Sequence, residues 1–441
     1  MPPTLTFRQT LLYSCTSISI NLINTAVSTW LLYYYAPPPT TGAVQYLSVT
    51  VVGLLLAIGR VWNAIIDPFI GHWSDTTCSP WGRRTPFLVI GSLMTLGSLL
   101  LLWTPLTAYP SWLNAFYFLT MAIVLYTGIS LVGVPYDGSL PEMAATAAER
   151  VRLSMWKNIF GIVGVLGGAI IGSAVYNQWG AIAMGGVIGI LGVVTVGLTL
   201  PVLPKRSLPT LDATDKTEVI AALSFWQSLR STLRNRPFLI LCSSTILVQT
   251  AYAMLLSNLP YFVALILQEP EAAVGRYQSL VVIVMLAAAP VWNRMSRYGS
   301  DRQLLKVSLL GLALATSFLT VVGWTSALPN GIQAAICFGF LGPFLGGYFI
   351  LVYAMMGTVV EQDAIVTGQR REAFHYSIFS FSAGMGLSFS TLIIPPIFSY
   401  YGYTLEHPAG VRVVFLVAAA LVVLGVIVFQ GYRLEDAPIQ G

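Results

Sequence analysis

Charge is what this sequence has least of. Only 9% of its 441 residues are Asp, Glu, Lys or Arg, while 56% are hydrophobic. A soluble chain carries about 25% charged residues, so this one cannot cover a globular surface. Its mean hydropathy of +0.75 makes lipid its solvent. Cysteine is also scarce. Cys15, Cys78, Cys242 and Cys337 show no CxxC or Cys/His spacing, which excludes a disulfide framework and gives no metal site. No Walker pattern occurs, so no built-in ATPase and no nucleotide cofactor is expected. No nucleophile and base converge in sequence, which argues against an enzyme. The net charge of +5 comes from basic residues in short loops, so it does not imply a nucleic-acid partner. The first apolar run is too long, and lacks the small-residue cleavage pattern, for a cleavable signal.

What is present is apolar length. A helical span needs about 20 mostly apolar residues. By that rule the chain holds twelve spans, near 10–36, 43–71, 86–107, 112–140, 153–178, 181–203, 237–267, 273–297, 304–326, 331–358, 373–399 and 410–432. The fold class is therefore an all-α polytopic membrane protein. The longest polar interval, 204–236, lies at the chain's midpoint and contains prolines, mixed charges and the amphipathic piece FWQSLRSTLRNR. It divides the chain into two six-helix bundles, 1–203 and 237–441, and it reads as a cytoplasmic linker with an interfacial helix. A regulatory role for it is the alternative. The loop after span 2, GHWSDTTCSPWGRR, and that after span 8, NRMSRYGSDRQLLK, both contain glycine, aspartate and arginines. This faint repeat makes the halves pseudo-symmetric, as transporter folds are.

Lysine and arginine placement sets orientation. All but Arg60, Arg276 and Arg412 lie at the ends of even-numbered spans, in the loops after them, in the opening turns of the spans that follow those loops or at the termini. Both termini are expected in the cytoplasm of a cell bounded by this plasma (inner) membrane.

Several polar groups stand inside the apolar runs, where they are expensive and must be paired or functional. In RVWNAIIDPFIGHWSD, Arg60, Asn63 and Asp67 are three and four apart, which places them on one helix face. Pro68 weakens the helix beside Asp67 and frees a carbonyl. Carboxylate, amide and carbonyl together suit a proton or a small cation. Burial and Arg60 act on the carboxylate in opposite senses. Either the set couples a cation, or an Arg60–Asp67 pair locks helices together.

Span 1 has the stripe Ser14, Ser17, Asn21, Asn24 and Ser28, a face that avoids lipid and meets other helices or a wet cavity. Tyr33, Tyr34 and Tyr35 end that span and read as interfacial anchors. In VPYDGSLPEM, Tyr136 and Asp137 sit in span 4. Lys157, just inside span 5, is the partner expected for Asp137. Gly161, Gly164, Gly168 and Gly172 are spaced for close helix packing. The second half offers Gln249 and Tyr252 on span 7, Tyr348 and Tyr353 on span 10, and a serine-rich face on span 11. Amides and aromatic rings suit sugars, and also other amphipathic solutes. His375 starts a helix and reads as a capping or interfacial histidine. The charged loop residues Asp75, Arg83, Arg84, Glu142, Arg150, Arg370 and Arg371 read as a latch across cytoplasmic helix ends.

Four segments, RVWNAIIDPFIGHWSD…SPWGRRTPF, VPYDGSLPEMAATAAERVRLS, EQDAIVTGQRREAFHYSI and LLYYY, resemble the major facilitator superfamily. Within it they are similar to the glycoside–pentoside–hexuronide:cation symporters, the melibiose-permease-like group. The resemblance covers nearly the whole chain. It implies a secondary transporter working by alternating access around a site between the halves, with Asp67 as the cation-coupling aspartate. It puts Asn63 where sodium-coupled members have a second aspartate, Asn21 and Gly133 where they have sugar-binding aspartates, and Gly384 where melibiose permease has a lysine. Lys157 or Asn158 falls within one position of a sugar-contacting arginine. One carboxylate in span 2 favours proton over sodium coupling. The expectation is proton symport of a sugar or glycoside by a monomer in lipid. Asp67, Asn63 and Arg60 would couple the cation. Asn21, Asn24, Tyr136, Asp137, Lys157, Gln249, Tyr252 and Tyr353 would bind the solute. An exporter or lysolipid carrier of the same fold, and a non-transporting sensor or assembly factor, are the alternatives.

Overall fold

The computed structural model describes residues 5–77, 79–144, 146–204, 232, 235–326, 328–367 and 372–432. Among these every long element is a helix. The first half contains α1 (Phe7–Tyr35), α2 (Val49–Thr76), α3 (Thr85–Leu102), α4 (Trp112–Met143) and a continuous helix Ala147–Thr199. That last helix breaks at Gly180, whose φ of 78° is left-handed, a conformation that favours glycine. It therefore counts as α5 (147–179) and α6 (181–199). The second half contains α7 (Arg236–Phe262), α8 (Ala272–Ser296), α9 (Asp301–Phe318), α10 (Asn330–Thr367), α11 (Glu372–Tyr401) and α12 (Ala409–Gln430).

Among the described residues ten helical stretches are long and apolar enough to cross a membrane, and the one spanning Gly180 supplies two crossings. The stripe of hydroxyls and amides lowers the hydropathy of α1 and leaves it outside that set, although it is 29 residues long. With α1 the crossings number twelve, as the hydropathy of the sequence predicts, and the chain is an integral membrane protein.

Helix starts follow local chemistry. Thr6 with Gln9 and Thr146 with Glu149 form capping boxes for α1 and α5, and Ser48 and Ser111 cap α2 and α4. Each satisfies backbone N–H groups that the first turn leaves free. Along α2 the exposed large apolar side chains include Leu54, Ile58, Val61, Ile65 and Phe69. Three- and four-residue steps place them on one lipid-facing stripe. The polar residues Arg60, Asn63 and Asp67 are drawn off that stripe.

Two compact units divide the chain, residues 1–215 with 259–279, and residues 216–258 with 280–441. In the first, α1 lies against α5. A Cβ at Gly164 would be 2.6 Å from the Ile18 carbonyl oxygen, and one at Gly168 would be 2.8 Å from that of Leu22. Only glycine permits this approach, in agreement with the packing read from its spacing. In the second unit, Asn258 of α7 donates to the Val411 carbonyl of α12 at 2.9 Å, and Trp292 of α8 donates to the Pro343 carbonyl of α10 at 2.8 Å.

Candidate functional site

Pro68 does not end α2, which continues to Thr76. Asp75 is therefore in the helix's last turn, not in the loop that the sequence suggested. The same helix presents Arg60, Asn63 and Asp67 inward, and the three separate there. The Asn63 amide nitrogen lies 2.5 Å from Ser130 Oγ on α4 and 3.4 Å from Asp67 Oδ1. Ser130 also reaches the Asp67 carboxylate. The Arg60 guanidinium turns to α1 and donates to Ser28 Oγ at 3.3 Å. Among the described residues no ion pair joins Arg60 to Asp67, so the locking pair weighed above does not form. The two residues are seven apart, and Arg60 reaches the stripe of α1 first.

A second group joins α1, α4 and α5. Lys157 Nζ is 2.5 Å from Asp137 Oδ1, and it lies 5.3 Å from the centre of the Tyr136 ring. This is the pair read from the sequence. Tyr136 itself is fully buried. It stacks on Tyr13 at 4.7 Å, and its hydroxyl meets Ser17 Oγ at 3.0 Å. Tyr136 therefore supports this group from behind, and one face of its ring meets Tyr13, not solvent. Asn21 donates to the Ser17 carbonyl at 2.9 Å, and Gly161 lies against its amide. Asn24, one turn on, is exposed and has no hydrogen bond among the described residues. The stripe of α1 is thus divided, with Ser14 and Ser17 buried in packing and Asn21, Asn24 and Ser28 on the open side.

Gln249, Tyr252 and Tyr353 belong to the second unit. Gln249 Oε1 is buried without a partner. Tyr252 meets Phe349 edge-on at 5.7 Å, and Tyr353 meets Phe379 at 5.5 Å while remaining about half exposed.

The charged residues at the other end of α2 form one network. Arg84, nearly buried, donates to Glu142 at 2.6 and 2.9 Å, to Asp75 at 3.1 Å and to the Pro135 carbonyl at 3.1 Å. Arg83 bonds the same Glu142 oxygen, and the Asp75 carbonyl at 3.3 Å. A fork of five donors shared between two carboxylates and a carbonyl suits a guanidinium. Gly138 makes room for it, because a Cβ there would be 1.9 Å from Arg84 Nη1. Arg150 stands apart from this network, donating from Nε to the Ala144 carbonyl at 3.3 Å. Arg370 and Arg371 lie outside the described residues.

Two further expectations are corrected. Tyr33 and Tyr35 are buried, not interfacial. The hydroxyls of Tyr34 and Tyr35 donate to the Trp103 and Leu102 carbonyls at the end of α3, at 2.7 and 2.6 Å, where a helix has free acceptors. His375 is fully buried, with Nε2 3.7 Å from Asp363 Oδ2 and Phe238 edge-on to its ring. It is packed against α10 and α7 and is not an interfacial group. Sequence reasoning also passed over Ser130. Its signal was available, since it lies seven residues before Asp137 and hence on the same face of α4.

The family described as MFS/sugar transport protein matches residues 12–436. The chain is 26% identical to the glucuronide carrier protein homolog of Escherichia coli K12, over 98% of this chain and 93% of that one. It is 23% identical to the sodium-dependent lysophosphatidylcholine symporter 1 of Gallus gallus, over 87% and 79%. In three dimensions it is similar to the crystal structure of the nucleoside transporter NupG, with a TM-score of 0.69, 13% identity and coverage of 98% and 100%; this likeness concerns the fold alone. Twelve crossings, polar groups turned inward and a match along almost the full length establish that the chain belongs to the MFS/sugar transport protein family.

Proposed function

We propose that the protein couples proton entry at Asp67 to the uptake of a sugar or glycoside by alternating access. Its coarser character follows from the family: it is a secondary transporter of small-molecule solutes, and not an enzyme. One observation carries the proton. Asp67 hydrogen-bonds to the neutral Asn63 and Ser130, and Asp137, the other carboxylate whose charge reaches it, is paired with Lys157. One proton neutralises such a site, and charge inside a membrane is expensive. Sodium favours a cage of several oxygen ligands, which one carboxylate supplies poorly. In this reading Asn21, Asn24, Asp137 and Lys157 meet the solute in the first unit, and Gln249, Tyr252 and Tyr353 meet it in the second.

The Arg84 end of α2 faces the cytoplasm, as do both termini, and the Tyr35 end of α1 faces outward; lysine and arginine placement supports this. The Arg84 network is the inner latch. The transporter acts as a monomer in the plasma membrane.

The second reading is a carrier of lysolipids or similar amphiphiles. A specific observation favours it. A Cβ at Gly133 would meet nothing closer than Ile20 Cδ1 at 4.0 Å, and one at Gly384 would meet nothing within 4 Å. These two glycines do not serve close packing, and they leave room for a bulky group. A thermal-shift screen against glycosides, organic acids and lysolipids separates the readings, because a ligand of the folded state raises the melting temperature. Stabilisation by a glycoside supports the first reading, and stabilisation by lysolipids alone overturns it.

A further inference from the structure

We propose that the Arg302 end of α9 and the residues just after α12 bind the phosphate headgroup of an anionic phospholipid, whose acyl chains lie on the apolar stripes of the same two helices. The inference goes beyond the transport reading and depends only on the chain being a membrane protein. It starts from the loop NRMSRYGSDRQLLK, which repeats the glycine, aspartate and arginines of the loop that contains Arg83 and Arg84. Those two arginines both pair with Glu142. Among the described residues Arg294, Arg297, Arg302 and Lys306 have no ion pair. Asp301, the one carboxylate between residues 294 and 306, accepts from Ser296 Oγ at 2.7 Å. Four cations here stand against one carboxylate, and the loop is no latch.

Arg302 is held where the two helices meet. Its Nη2 donates to the Gln430 carbonyl at 3.0 Å, at the end of α12, where a helix has free acceptors. The guanidinium has further N–H groups, and its Nε is buried without a partner among the described residues. The Arg302 charge reaches the Tyr432 hydroxyl. That hydroxyl is buried and equally without a partner, on a residue only 1% exposed. Phe429 stacks on the Tyr432 ring at 5.2 Å and holds it in place. Buried donors without acceptors are destabilising, and an anionic oxygen accepts from both. Lys306 follows Arg302 by four residues, one turn along the same face of α9. Ser300 gives α9 no side-chain cap, so the first turn of the helix adds N–H donors at this end.

The surface beside these donors names the ligand as a lipid. Val307, Leu310, Leu314 and Phe318 are exposed on α9 in steps of three and four, and Val423, Leu424 and Ile427 are exposed on α12. The first stripe begins one residue after Lys306, and the second ends three residues before Gln430. A small soluble anion leaves both stripes bare, whereas a phospholipid covers them while its phosphate meets Arg302, Lys306 and Tyr432. The excess of cations selects an anionic headgroup over a zwitterionic one.

Native mass spectrometry of the full chain in detergent, with phosphatidylglycerol, phosphatidylcholine or inorganic phosphate added, tests this. The wild type should retain phosphatidylglycerol at concentrations where it keeps neither of the others. Arg302→Gln and Lys306→Gln should each weaken that binding about tenfold, because charge-assisted hydrogen bonds are the strong ones. Tyr432→Phe should weaken it about threefold, the loss of one hydrogen bond. This last variant removes only an unpartnered hydroxyl, so it keeps the test valid if Arg302→Gln, which uncaps α12, fails to fold. Arg8→Gln removes an exposed cation of the first unit and should change nothing. Wild-type affinity in folded Tyr432→Phe, an equal loss in Arg8→Gln, equal retention of the two lipids, or retention of phosphate in place of lipid overturns the site.

Discussion

Asn63 joins two helices through one amide nitrogen, which lies 2.5 Å from Ser130 Oγ on α4 and 3.4 Å from Asp67 Oδ1 one turn along its own helix. The amide therefore positions the carboxylate and at the same time ties it to α4. A change in the state of Asp67 is felt by the α2–α4 contact without any ion pair being broken.

Replacing Asn63 with aspartate puts a second carboxylate one helical turn from Asp67. Two carboxylates, Ser130 and the carbonyl freed by Pro68 supply the oxygen donors that a hard cation prefers. Solute uptake by Asn63→Asp in vesicles should rise severalfold when sodium replaces potassium at fixed pH, whereas the wild type should not respond. Equal uptake in both salts by the variant contradicts this role for position 63.

The Asp137–Lys157 pair is partly exposed, and its ammonium also lies over the Tyr136 ring. Lys157→Met removes both contacts and leaves Asp137 unpaired. It should raise KM at least tenfold. Residues in direct contact couple by about 0.5–3 kcal/mol in a double-mutant cycle. Asp137→Asn with Lys157→Met should accordingly be more stable than the sum of the single changes, as thermal melts would record. Additive losses count against the pair.

Gly138→Ala places a methyl where the Arg84 guanidinium lies. The arginine cannot step aside without giving up bonds to Glu142, Asp75 or the Pro135 carbonyl. Hydrogen bonds to charged groups contribute about 1.5–3 kcal/mol each, discounted here because Asp75 is largely exposed. The variant should lose about 2 kcal/mol of stability, and Glu142→Gln a similar amount. The double variant should lose little more than either alone, since both act on one network. Full additivity in melts would place Gly138 outside the latch.

The twelve crossings were legible because each needs an apolar run, and even the break at Gly180 fell in the gap between 178 and 181. The Asp137–Lys157 pair was legible because two charges in adjacent apolar runs have few other partners. The course of α2 past Pro68 was not, since a proline's missing bond is tolerated when neighbouring helices hold the backbone. Nor was the direction of Arg60, because spacing on one helix says nothing of a serine on the next. The burial of Tyr35 and His375 depended on acceptors supplied by α3 and α10. Residue type suggested an interface, and tertiary partners made both residues internal.

The central claim is that Asp67 carries the coupling proton. Proton uptake driven by an imposed solute gradient, measured with a pH-sensitive dye in vesicles of wild type and of Asp67→Asn, tests it most directly. The wild type should acidify the receiving compartment as solute enters. Asp67→Asn should show no acidification while still exchanging labelled for unlabelled solute. Acidification by Asp67→Asn at the wild-type rate, or wild-type solute entry that moves no protons, would contradict the account.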